Sequence, residues 1–221
     1  MNQAFDPKPP LPDYLTDYYQ WAYTTSRAVK FWDRPWLVNL ILWGNYRRLS
    51  NAALQHIEGN CLQIAAVYGD LSKRISEKLA PNHSLTVVDI APVQLANLAR
   101  KCPHINLHCQ NSSRLQFADD SFDTSLLFFL LHEQPADVRQ KTISEALRVT
   151  HPGGKVIIVD YHKPKWWHPL RWVMAGAFKW LEPFAGEFWD RPLARHLTNN
   201  AKIKVQETFF SELYELTIIE N

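Results

Sequence analysis

Net charge of one sign is the first thing missing from this chain: 24 lysines and arginines stand against 22 acids in 221 residues. That balance leaves no basic footprint for a nucleic-acid partner. Cysteine is scarce as well. Cys61, Cys102 and Cys109 are odd in number and show no C-x-x-C spacing, which argues against a disulfide framework or a structural zinc site and favours a reducing, cytoplasmic setting. No run reaches the roughly 18–20 apolar residues of a spanning helix. The polar start MNQAFDPKPPLPDY lacks the pattern of a signal peptide, so the expectation is a protein neither secreted nor membrane-spanning. The length suits one α/β domain with appendages.

What is present divides into two textures. Four prolines between Met1 and Pro12 mark an extended arm. Helical patterns follow over Asp13 to Thr24 and over Pro35 to His56, the second with Leu37, Leu40, Ile41 and Leu49 at helical spacing and Gly59 as its stop. Residues 1–58 therefore read as an N-terminal arm and helical appendage, and 59–221 as the main domain. There CLQIAAVYG, SLTVVDI, INLHC, TSLLFFLL and KVIIVDY alternate with helical segments, including Pro92 to Arg100 and Ala136 to Val149. Continuous apolar strands are buried on both faces, which predicts a doubly wound, mainly parallel sheet. KIKVQETFFSELYELTIIE adds a closing antiparallel hairpin.

In such sheets ligands bind beyond the carboxyl ends of the strands, so the residues there carry the functional reading. Val67-Tyr68-Gly69-Asp70 follows the first strand, at a helix N-terminus suited to an anionic group. Ala65 and Val67 stand where a nucleotide loop usually has glycine, and only Gly69 remains. Asp89 ends the second strand, either to accept both hydroxyls of a ribose or to cap the next helix. Asn111-Ser112 after the third strand either reads an adenine edge or caps its own loop. The fourth strand runs into His132-Glu133, and the fifth ends Asp160-Tyr161-His162. Adjacent strand ends would gather His132, Glu133, Asp160 and His162 into a set suited to a divalent ion or to proton transfer, the alternative being histidines that merely cap strands.

Nine tryptophans are many for this length, and seven fall in two clusters, Trp32, Trp36 and Trp43, then Trp166, Trp167, Trp172 and Trp180. The second lies in an aromatic insertion over about 163–192 that also carries Lys163, Lys165, Arg171 and Lys179, a mixture that suits a membrane surface or a packed helix flanking the sheet.

Through VVDIAPVQL, SFDTSLLFFLLHE and LRVTHPGGKVIIVDYH, roughly Asn60 to His162, the chain resembles class I S-adenosylmethionine (SAM)-dependent methyltransferases of the quinone-pathway type. More narrowly it resembles the RquA family, which makes rhodoquinone from ubiquinone, through YYQWAY, WLVNLILWGNYRRL, LQIAAVYGDLS, LLFFLLHEQPADVR and VDYHKPKWWHPLR. The resemblance implies a Rossmann-like fold in which the SAM amino group replaces a ubiquinone methoxy with manganese assisting. It implies cofactor contacts at Tyr23, Ala65, Val67, Tyr68, Gly69, Asp70, Asp89, Ile90, Asn111, Ser112 and Leu130. Catalytic roles fall to Tyr68, His132, Glu133, Asp160 and His162, the last four also as metal ligands. Its partners would be SAM, ubiquinone or a related prenylated quinone, and the inner face of the cytoplasmic membrane. Gln63, Val67 and Asn111 depart from the wider methyltransferase pattern, Asn111 also from the acid expected in RquA, and Ser211-Glu212 stands where that family is expected to have glycines.

Overall fold

The computed structural model describes residues 9–18, 26–181, 183–190 and 202–221. Among the described residues seven strands form one sheet in the order β3-β2-β1-β4-β5-β7-β6. They are β1 (Cys61–Ile64), β2 (Leu85–Asp89), β3 (Asn106–Cys109), β4 (Phe122–Phe128), β5 (Thr150–Tyr161), β6 (Lys202–Phe209) and β7 (Tyr214–Glu220). The first five pair in parallel, and β7 joins β5 and β6 antiparallel, as the C-terminal alternation predicts. The crossover direction changes between β1 and β4, which makes their carboxyl ends the place for a ligand.

The described helices of the appendage are α1 (Asp13–Tyr18), α2 (Ser26–Trp32), α3 (Pro35–Ile41) and α4 (Tyr46–His56). Those of the main domain are α5 (Leu71–Lys78), α6 (Pro92–Lys101), α7 (Ala136–Val149), and, in the aromatic insertion, α8 (Arg171–Leu181) and α9 (Pro183–Asp190). Among the described residues no helix is long and apolar enough to cross a membrane.

Strand alternation explains why the sheet is covered on both sides. Cys61, Val87, Leu126, Phe128, Ile157 and Val159 point into one apolar cluster, while Leu62, Ile64, Val88, Leu127, Val156 and Ile158 point into the other. To the first cluster α4, α5 and α6 contribute Leu49, Ile75 and Leu98. The second is closed mainly by α7, through Ile143, Ala146 and Val149. This is the class I methyltransferase-like, Rossmann-like architecture expected from the sequence.

The appendage differs from its expectation. The single helix expected over Pro35 to His56 is broken at Leu42–Asn45, where Trp43 and Gly44 take φ of 50° and 81°. Left-handed backbone at two successive residues cannot continue a right-handed helix, and the turn redirects the chain so that α4 lies on the sheet.

The β6–β7 turn carries Phe210, Ser211 and Glu212 at φ of 49°, 51° and 70°. These are conformations glycine adopts without strain, which is the physical reason for the glycines expected there.

Candidate active site

A cavity of about 440 Å³ lies at the carboxyl edge of the sheet, within the roughly 300–1,000 Å³ usual for small-molecule sites. Its floor is made by Ala65–Tyr68 after β1, Asp89–Gln94 after β2, Gln110–Ser112 after β3, Phe128–Leu130 and His132–Gln134 after β4, and Tyr161 at the end of β5. The appendage covers it with Leu11, Tyr14, Leu15, Trp32, Val38, Ile41 and Leu42, so most of the cover is aliphatic or aromatic.

At the β1–β2 end, Asp89 accepts the Ala66 N–H at 2.8 Å on Oδ2 and the Ala91 N–H at 2.7 Å on Oδ1. Ala91, not Asp89, occupies the cap position of α6. Burial pushes the Asp89 carboxyl up to about 6 against the opposing pull of these two N–H donors. Each oxygen retains acceptor capacity, so the carboxylate can receive hydroxyls from the cavity. Ala65 sits at φ 74°, the left-handed backbone that a loop glycine would take without strain. Val67 is not in that region and packs against the core. Gln63, which replaces an acid in β1, is spent internally: its Nε2 donates to the Ala65 carbonyl at 2.9 Å and its Oε1 accepts from Ser72 Oγ at 2.8 Å. It therefore props the loop rather than facing a ligand.

The Tyr68 hydroxyl accepts from Gln94 Nε2 at 2.9 Å, and its surroundings, burial first, raise its pKa so that it stays protonated. Ile90 and Leu130 line the same cavity. Asn111 and Ser112 do too, yet Asn111 Oδ1 accepts Ser113 N–H at 2.9 Å, and Ser112 Oγ lies 3.1 Å from Thr142 Oγ1 while accepting from Gln134 Nε2 at 3.0 Å. Loop capping and cavity lining thus coexist there.

Gly69 and Asp70 are placed otherwise than a ligand-facing turn would put them. Neither is in the cavity wall. Gly69 N–H donates to Asp33 Oδ1 at 2.8 Å, and Asp70 N–H to the Tyr46 hydroxyl at 2.9 Å. Asp33 also holds Lys101 at 2.7 Å and Asn97 Nδ2 at 2.6 Å, while Asp70 pairs with Arg47 at 3.0 Å. The amides expected to receive an anionic ligand group instead tie the appendage to the domain. A Cβ at Gly69 would stand 2.6 Å from the Tyr46 hydroxyl, which is why glycine is needed at that point. Tyr23 lies outside the described residues.

At the β4–β5 end, His132 and Asp160 are both almost fully buried, and the imidazole Nδ1–H donates to Asp160 Oδ1 at 2.7 Å. Asp160 further accepts the N–H groups of Leu131 at 2.9 Å, His132 at 3.3 Å and Tyr161 at 2.7 Å. His132 lines the cavity with Asp160 behind it, facing a smaller pocket. The short 3-10 turn Leu131–Glu133 that carries the histidine is clamped by the wholly buried Arg139, whose Nε donates to Leu131 O at 2.9 Å and Nη2 to Gln134 O at 2.8 Å. Phe129, Tyr161 and His132 pack edge to face, with centroids 4.7–6.0 Å apart.

Glu133 lines the cavity beside His132. His162 does not join them. It donates from Nδ1 to the Glu212 carbonyl at 2.9 Å, and Nε2 lies 3.5 Å from Glu215, so it belongs to the β5–β7 side. Among the described residues no group of three or more His, Cys, Asp or Glu side chains is placed to hold a metal ion. The four-residue set expected at adjacent strand ends is not assembled, because His162 turns toward β7 and Asp160 is consumed by His132 and three backbone donors. These four residues do not fit the manganese centre that the resemblance implies.

Several cavity residues carry no signal in the sequence. Tyr14 reaches the site from α1, with its ring edge-on to Phe184 at 6.2 Å, and burial and the nearby Glu133 raise its pKa. Gln94 and Gln134 fall inside VVDIAPVQL and LLFFLLHEQPADVR, but nothing in their type or spacing singles them out there. Asp33 acts across 36 to 68 residues of sequence, a separation with no local signature.

Comparison with known proteins fits this geometry. Residues 61–154 match the family model described as "Methyltransferase domain". The chain is 30% identical over 121 residues to the ubiquinone/menaquinone biosynthesis C-methyltransferase of Rickettsia prowazekii, covering 51% of this chain and 48% of that protein. It is 30% identical over 112 residues to the demethylmenaquinone methyltransferase of Beutenbergia cavernae, covering 51% and 42%. The chain thus spans about half the length of the curated relatives it matches. Among solved structures, the N-methyltransferase NodS of Bradyrhizobium japonicum with bound S-adenosyl-L-homocysteine aligns at a TM-score of 0.59 and 14% identity, over 95% of this chain and 99% of that one. The [4+2]-cyclase SpnF aligns at 0.60 and 15% identity, over 90% and 97%. One fold thus serves proteins named for different reactions, so the reaction must be argued from the site. The matched stretch runs from the first residue of β1 into β5, and the solved structures share the fold, so residues 61–154 are similar to a methyltransferase domain and the chain has the class I methyltransferase-like, Rossmann-like fold.

Proposed function

We propose that this chain is a SAM-dependent transferase acting on a prenylated quinone, and that the group transferred to the ring is the amino group, replacing a methoxy substituent as in the RquA family. SAM, when bound, supplies the transferred group. The observation that carries the reading is the His132–Asp160 pair at the wall of an apolar cavity whose other end holds Asp89.

Asp89 is the acceptor for the two ribose hydroxyls, and Ala65 to Tyr68 with Ile90, Ser112 and Leu130 form the surrounding shell. Asp160 holds Nδ1–H of His132, which makes Nε2 the basic nitrogen of the neutral ring. An amine attacks only when unprotonated, so His132 removes its proton as the bond to the ring carbon forms and returns it to the departing methoxy oxygen, which leaves as methanol. The nitrogen would then still be bonded to the Cα of the donor; loss of the Cα proton with passage of that electron pair into the ring, which is reduced to the quinol, would give an imine, and its hydrolysis by water would break the Cα–N bond and release the aminated quinol and an α-keto acid. Glu133 stabilises the imidazolium at the cavity side. Phe128, Phe129 and Tyr161 exclude water and give the planar ring aromatic faces to pack on. No step is assigned to a metal.

A second reading, methyl transfer to a quinol, is favoured by the 30% identity to proteins named as quinone-pathway C-methyltransferases. The same base would then take a proton from the quinol. Incubation of the full chain with ubiquinone or a demethylated quinol, SAM and detergent, with and without added Mn²⁺, separates the two by mass analysis of the quinone. Exchange of methoxy for amine supports the first reading, gain of a methyl group supports the second, and an unchanged quinone with every acceptor defeats both.

A further inference from the structure

We infer that the outer face of α3 is a docking surface for an anionic lipid bilayer, placed so that the tail of a membrane-borne substrate passes directly into the cavity. A surface helix of a water-soluble domain has a polar outer face. The sequence of α3 is PWLVNLI, and its one polar side chain, Asn39, keeps its amide oxygen buried. The inner residues Leu37 and Val38 are buried, and Val38 and Ile41 line the cavity together with Leu42 of the following turn. The outer residues are apolar too. Trp36 is 60% and Leu40 63% exposed, one helical turn apart, and Trp43, in the turn that follows the helix, is exposed as well. Phe31, just before the helix, is also exposed. Ile41 is both cavity lining and partly open to solvent, so apolar surface runs unbroken from the outside to the site.

The charges next to this helix in sequence are mostly of one sign although the chain as a whole has almost none. Between residues 26 and 50 stand Arg27, Lys30, Arg34, Arg47 and Arg48 against the single acid Asp33; Asp33 is held by Lys101 and Arg47 pairs with Asp70, which leaves Arg27, Lys30, Arg34 and Arg48 as the basic excess. Exposed tryptophan flanked by cations is the chemistry of the lipid headgroup region, where indole sits at the boundary and basic residues meet anionic lipid. The second aromatic segment has the same character. Trp166 and Trp172 are about four-fifths exposed, with Lys165 over the Trp167 ring, and the inner residues of its helix, Met174 and Phe178, share the apolar cluster of Val38 and Leu42.

Docking itself is independent of the reaction; only the identity of the tail rests on the quinone reading. The test is flotation of the full chain with vesicles of phosphatidylcholine alone or with phosphatidylglycerol added. Wild-type protein is expected to float with the anionic vesicles and to be released by high salt, and Trp36→Glu/Leu40→Glu to lose about tenfold in partitioning with unchanged thermal stabilisation by SAM. Failure of wild type to bind anionic vesicles, or equal binding by the double variant, overturns the inference. So does a wild-type dimer that ignores vesicles and is dispersed by the double variant, since the face would then belong to a second copy. If the double variant loses vesicles but keeps full turnover of a short-tailed, water-soluble quinone, docking and reaction both stand. If vesicle binding holds and no quinone reacts, docking stands and the quinone reading falls.

Discussion

Asp89 and Asp160 stand at the carboxyl edge of the same sheet, one on β2 and one on β5, on opposite sides of the β1–β4 switch point. Both accept backbone N–H groups, and there the likeness ends. Asp89 opens into the cavity with acceptor capacity to spare, and burial raises its pKa to about 6. Asp160 is sealed behind His132 and spends its oxygens on that ring and on three amides. One carboxylate faces the cavity and the other holds a side chain that lines it. On the function proposed above, the two halves of the edge divide binding from proton handling.

The comparison breaks most visibly at the His132 end. His132→Ala, or Asp160→Asn, which leaves the shape and removes the charge that orients the ring, is expected to lower turnover about 10²–10⁴-fold, the range of a positioned general base, while SAM affinity by titration calorimetry stays near wild type. A parallel collapse of SAM binding would show that the two halves are not separable. Asp160→Ala should also cost about 3 kcal/mol in urea unfolding, because it strands buried donors.

At the other half the readout inverts. Asp89→Ala is expected to weaken SAM binding by about 10–100-fold, the loss of two hydrogen bonds to a charged acceptor, with single-turnover rate at saturating SAM changed far less. The same carboxyl gives a pH signature. Its folded pKa lies above the unfolded value near 3.9, so between about pH 4 and 6 the folded protein binds more protons than the unfolded chain. Stability of the ligand-free protein therefore falls as pH rises through that window and levels off above it, whereas SAM affinity rises as the group ionises. Thermal melts of wild type against Asp89→Asn check the first, since the variant should lack the slope; calorimetry at pH 5 and 7 checks the second.

The smallest effects concern backbone. Ala65→Gly, Ser211→Gly and Glu212→Gly each relieve a left-handed residue and should raise stability by about 0.5–1 kcal/mol, measured by chemical denaturation. Destabilisation by Ala65→Gly would mean that its methyl packing outweighs the strain.

Residues with a local physical signature are legible in the chain itself. β2 and α7 follow directly from SLTVVDI and from Ala136 to Val149, because continuous apolar runs and helical periodicity are properties of neighbouring residues. Asp89 is legible for the same reason, as an acid at a strand end. The break at Trp43-Gly44 is not, because apolar spacing carries on through it and only the docking of α4 on the sheet demands the turn. Nor is the fate of Gly69 and Asp70: a strand followed by a glycine turn and a helix reads as an anion site until Asp33 and Tyr46, brought from the appendage, claim its amides.

The chain's own pattern thus determined a parallel sheet closed by a hairpin, an apolar edge with acids and histidines at its strand ends, and two tryptophan-rich segments outside it. Only the tertiary structure decided which of those groups meet. His132 and Asp160 are 28 residues apart and share a hydrogen bond, while His162, two residues from Asp160, turns to β7 instead. Periodicity says which residues share a face, whereas contact depends on strand order, turn geometry and what the opposite element offers, and those are settled by packing the whole chain at once.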